Sequence, residues 1–79
     1  MGDKVKIVAN EFTPQEIAKI LREWTDMNQK QFGESIHRSE RSVRYIESGS
    51  RHLTVETLLT IAKAHNMKVI IQKEDKAEK

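Results

Sequence analysis

The 79-residue sequence predicts a mainly α domain, with four short helices around one small core and brief β-strands at the two ends. Three observations carry this. Thr13, Asn28 and Thr54 each stand as a polar cap before an apolar-periodic run, with the pairs Phe12/Ile17, Met27/Phe32 and Leu53/Leu58 spaced as hydrophobic staples. Within the runs, apolar residues return at steps of three and four, the helical period. The segments KVKIVA and MKVIIQ are instead short and β-branched, the former alternating charged and apolar residues at its start, as half-buried strands do.

Taken in order, Lys4 to Ala9 form the first predicted strand, and Asn10 and Glu11 break its pattern. Thr13 caps the first helix, Pro14 occupies its first position and Glu16 closes a capping box. Ile17, Ile20, Leu21 and Trp24 give that helix one apolar face, and it ends near Thr25 or Asp26. Asn28 and Gln31 repeat the capping grammar for a second helix from Gln29, whose Phe32 and Ile36 face the core. Gly33 costs this helix about 1 kcal/mol of propensity relative to alanine, which is acceptable if the next helix must cross closely. His37 stands in the following turn, where a left-handed backbone is common and glycine more comfortable. Ser39 caps a third helix that runs to Ser48 and stops at Gly49. Val55, Leu58, Leu59, Ile61 and Ala62 supply the buried side of a fourth, with Asn66 as its stop. Residues 67–72 form the second predicted strand, and 73–79 a charged, solvated tail.

Composition sets the limits. A chain this short makes one domain, spanning 1–79, and buries only about 60% of its unfolded surface, so dimerising would add much to it. The absence of cysteine removes disulfides and thiolate metal sites. His37, His52 and His65 have no helix-spaced metal pairing, so no metal and no cofactor are expected. Neither a phosphate-binding glycine loop nor a nucleophile motif occurs, which argues against an enzyme. With no membrane-length apolar stretch and no signal-peptide pattern, the expected address is the cytoplasm. The formal charge of +2 permits a nucleic-acid partner, and its distribution says more: between Arg38 and Arg51 there are four arginines against two glutamates.

That stretch is where the chain becomes informative. Residues 29–48 read as two short helices joined by a tight turn, and the second carries a narrow apolar stripe of Val43 and Ile46 opposite Glu40, Arg41, Arg44, Tyr45 and Ser48. A helix of this kind has the dimensions to lie in a DNA major groove. The stretch resembles the phage repressor and Cro family of helix-turn-helix proteins, also called Xre-like. The pattern is met by Gln29, Phe32, Gly33 and Ile36, then by Ser39, Val43, Ile46, Glu47 and Gly49, and by the run VETLLTIAKA, so that residues 13 to 66 are covered.

The resemblance implies a sequence-specific binder of double-stranded DNA that acts as a homodimer, most simply a transcriptional repressor. It places Glu40, Arg41, Arg44 and Tyr45 toward base edges, although Glu40 can instead pair with Arg44 and Tyr45 can instead pack against the loop. Asn28, Gln29, Arg38, Ser39, Ser50 and Arg51 fall at phosphate-contacting positions, and Arg22 and Glu47 at positions that pair structurally. The predicted C-terminal strand departs from the commoner phage repressors, which continue with a fifth helix. It is similar to an antitoxin-type subgroup in which that strand pairs across a dimer, here through Met67, Val69, Ile70 and Ile71. A competing expectation follows: an antitoxin that neutralises a toxin by direct contact and binds DNA to regulate its own promoter. Small size and the C-terminal strand favour it, and the lack of a long disordered arm tells against it.

Overall fold

Every helix begins at the cap the sequence offers. In the computed structural model, which describes residues 5–75, a single 3₁₀ turn at Ala9–Glu11 precedes α1 (Pro14–Thr25), α2 (Gln29–Ser35), α3 (Glu40–Ser48) and α4 (Val55–Ala64). Thr13 Oγ1 accepts from the Glu16 N–H at 3.2 Å while Glu16 Oε1 accepts from the Thr13 N–H at 2.8 Å. Asn28 and Gln31 form the same reciprocal box at 2.8 and 3.1 Å. Ser39 and Thr54 each accept from the N–H three residues on, both at 3.0 Å. Such caps contribute about 1 kcal/mol apiece, a large share of what holds helices this short.

Helix ends follow the same local logic. Asp26, His37, Gly49 and Asn66 all take positive φ, at 59, 61, 87 and 58°. The α2 end is a Schellman motif: the Arg38 N–H donates to Gly33 O at 2.8 Å and the His37 N–H to Glu34 O at 3.3 Å. His37 therefore does adopt the left-handed conformation expected of its position. A β-carbon on Gly33 would lie 2.6 Å from the Arg38 carbonyl oxygen and 3.1 Å from that of Ser39. Glycine is required there because the turn backbone folds directly onto α2, a contact that outweighs the lost helix propensity.

The core draws on all four helices: Leu21 from α1, Phe32 from α2, Ile36 at its cap, Val43 from α3 and Ile61 from α4, with Ile17, Met27, Leu53, Leu58 and Met67 packed around them. Phe32 lies at the centre, only 2% exposed. Two expectations about faces are corrected. Trp24 sits at the edge of exposure rather than in the core, and on α4 the inward positions are Thr57, Ile61 and Ala62 with Leu58 beside them, leaving Val55 71% exposed and Leu59 also outside.

The predicted strands are likewise corrected. Among the described residues there is no strand: 5–8 and 67–75 carry no regular secondary structure, and Ala9 belongs to the 3₁₀ turn. Val8 has extended torsions, with φ −96° and ψ 106°, but a strand also needs a ladder, and no backbone hydrogen bond joins the two terminal segments among the described residues. Lys4 of the first predicted strand and residues 76–79 of the tail lie outside the described residues. The terminal segments instead border an open apolar cleft together with Leu21 and Trp24 of α1 and Val55 and Leu58 of α4.

Candidate nucleic-acid interface

The interface is built by α2, the turn and α3. Only residues 36–39 separate the two helices, and the Schellman bonds hold that turn shut. Ser42, Val43 and Ile46 seat α3 on the core, so Glu40, Arg41, Arg44, Tyr45 and Ser48 are left on its outer side, all exposed. Along this row Arg44 Nη2 pairs with Glu40 Oε2 at 3.6 Å, one helical turn apart and open to solvent. A pair so exposed adds well under 1 kcal/mol and serves to aim Arg44 rather than to stabilise the helix. Arg41 has no hydrogen bond or ion pair among the described residues, so its fork is free for a partner.

The flanking residues are more constrained. Asn28 Oδ1 and Ser39 Oγ are both engaged as caps. Gln29 Nε2 donates to Glu47 Oε1 at 3.2 Å. Arg38 Nη2 donates to Thr57 Oγ1 at 2.9 Å, and Arg51 Nη1 to Ser42 Oγ at 3.1 Å. Arg51 also lies over the Tyr45 ring, 5.7 Å from its centroid, and its N–H closes the loop on Tyr45 O at 3.1 Å. Ser50 Oγ accepts from Ser48 Oγ at 3.1 Å.

Behind the interface, Arg22 and Glu47 meet in a two-pronged bond, Nε to Oε2 at 2.6 Å and Nη2 to Oε1 at 3.0 Å, with side chains only 17% and 7% exposed. Arg22 Nη1 additionally donates to Met27 O at 3.0 Å, so one guanidinium links α1, the entry to α2 and the end of α3. The hydrogen bond to Glu47 holds the Arg22 pKa above its ordinary value against the opposing cost of burial.

One pairing escaped the sequence reading. His65, at the end of α4, stacks on Phe32 with ring centroids 5.3 Å apart, and its Nε2 lies 2.8 Å from Ser35 Oγ. Ser35 Oγ also lies 2.6 Å from Phe32 O, one turn back on its own helix. The Ser–His contact is thus a packing device that fastens α4 to α2. No group of acidic, histidine or cysteine side chains among the described residues is arranged to hold a metal ion.

Two short helices locked across a four-residue turn, the second showing a polar, arginine-bearing face, define a helix-turn-helix domain. The family model described as Helix-turn-helix matches residues 13–69, and the chain belongs to this Xre/Cro-like family of DNA-binding transcription regulators. Comparison with curated proteins and with solved structures gives no significant match. Among the described residues, no helix is long and apolar enough to cross a membrane.

Proposed function

We propose that the protein is a sequence-specific double-stranded DNA-binding repressor that works as a homodimer. The observation that carries this is the outer row of α3, with Glu40, Arg41, Arg44 and Tyr45 exposed on one side and Arg38 and Arg51 at the two ends. In this reading Arg41, Arg44, Glu40 and Tyr45 address base edges in the major groove, while Arg38, Arg51 and Ser50 and the N-termini at Asn28–Gln29 and Ser39 address phosphates. Two copies are needed because one such helix spans only a few base pairs. The self-association surface in this reading is the C-terminal segment: Val69, Ile70 and Ile71 are exposed, Ile71 at 96%, whereas Met67 is already packed on its own core. An apolar run left open in this way favours burial against a second copy.

Selection of bound duplexes from a random pool tests the reading, with an enriched two-half-site sequence as the expected outcome. Repeating the selection with Arg41→Ala is expected to erase preference at one base position per half-site and to weaken the selected site by about 1–3 kcal/mol. If the pool yields no enriched sequence, base reading is wrong and the protein is better regarded as an antitoxin or adaptor that keeps the fold for protein contacts.

A further inference from the structure

The core contains two buried polar side chains, Ser42 at 5% exposure and Thr57 at 3%. Each hydroxyl receives a hydrogen bond from an arginine, and the two arginines bracket α3: Arg51 beyond its C-terminus on Ser42, and Arg38 before its N-terminus on Thr57. Ser42 sits beside Val43 on the inward side of α3, and Thr57 shares the inward side of α4 with Ile61 and Ala62.

Building on the DNA-binding reading, we propose that Ser42 and Thr57 are positioning residues that hold Arg51 and Arg38 in place for phosphate. Arginine is long, and fixing it on a ligand costs conformational freedom. Here one terminal N–H of each guanidinium is anchored to a buried hydroxyl while the residue as a whole stays exposed, so the rest of the donor fork is presented outward. The Tyr45 ring beneath Arg51 adds a second restraint, and Thr54 Oγ1, donating to Thr57 Oγ1 at 3.0 Å, fixes the other anchor. The two anchors come from different helices, so the spacing of the two arginines is set by the core to which α3 and α4 contribute Val43 and Ile61 rather than by the flexible side chains themselves.

Because phosphate contacts do not depend on sequence, the test uses a short duplex DNA of randomised sequence at low salt. The variants are Ser42→Ala, Thr57→Val, Thr57→Ser, Arg51→Ala, Arg38→Ala and the doubles Ser42→Ala/Arg51→Ala and Thr57→Val/Arg38→Ala, with thermal melting to confirm folding. Ser42→Ala and Thr57→Val are each expected to weaken binding roughly two- to tenfold in the parent chain and to have no effect once the matching arginine is gone. Thr57→Ser, which keeps the hydroxyl, should restore affinity. Equal losses with and without the arginine would mean that the hydroxyls matter only for packing and would overturn the proposal, as would an unchanged affinity in Ser42→Ala and Thr57→Val. Failure of the unsubstituted chain to bind duplex DNA at all would instead overturn the functional reading on which the proposal stands.

Discussion

Glu47→Ala is expected to cost about 3–5 kcal/mol of folding stability, more than any other single change at the interface. The loss is large because Arg22 remains behind, mostly buried, with a guanidinium that had two of its donors satisfied by the missing carboxylate. A domain of this size has only about 5 kcal/mol or a little more to lose, so the variant should be largely unfolded at moderate denaturant. Replacing both partners with apolar residues, as in Arg22→Met/Glu47→Leu, removes the stranded charge and is expected to recover much of the loss. Urea titration of the three variants checks this, and a Glu47→Ala midpoint close to that of the parent would mean that the pair behaves like an exposed one. From the arginine side the pair is insensitive to pH. A raised arginine pKa contributes stability that is complete below its unfolded value and is lost only as the pH climbs through the folded one, in strong alkali.

The second large effect is expected from shortening the chain. The cut belongs after Lys68, because Met67 donates its N–H to Ala62 O at 2.9 Å, completes the α4 cap and packs on the core. Removal of everything beyond Lys68 takes away Val69, Ile70 and Ile71 and leaves the four helices their own contacts. The shortened chain is expected to sediment as a monomer with unchanged helical circular dichroism. Its affinity for an operator of two half-sites should fall about 10²- to 10⁴-fold, since the second contact is then no longer tethered to the first. A shortened chain that is still dimeric, with full operator affinity, would place the interface elsewhere, for instance on the exposed Val55 and Leu59 of α4.

What could be read in advance was whatever is decided locally. Caps, stops and the turn depend on a few adjacent residues, and Thr13, Asn28, Ser39, Thr54, Gly49 and Asn66 all perform the roles their chemistry suggested. The face of α4 could not be read, because VETLLTIAKA is apolar on more than one side and periodicity cannot choose among them. The core admitted Thr57, whose hydroxyl is satisfied by Arg38, and left Val55 outside. The terminal segments could not be settled locally for another reason: β-branched residues favour extended backbone, but a strand also needs a partner, and within the one chain neither segment has one among the described residues. At the candidate site the exposed row on α3 was legible from spacing alone. The contacts of Arg38 with Thr57, Arg51 with Ser42 and His65 with Ser35 join residues nine to thirty positions apart, and no local pattern marks them.

The burial of Glu47 also changes the charge that an approaching polyanion meets. Counted along the chain, residues 38–51 hold four arginines and two glutamates, a surplus of two. Glu47, however, is matched by Arg22 from outside this stretch, and Glu40 by Arg44 within it, so Arg38, Arg41 and Arg51 remain as three cations with no carboxylate partner among the described residues. If the two of these that address phosphate, Arg38 and Arg51, displace counterions from DNA, the logarithm of affinity should fall with the logarithm of salt at a slope of roughly −2 for one copy and roughly −4 for two. A chain that is nearly neutral as a whole would then bind with the ionic-strength dependence of a much more basic one.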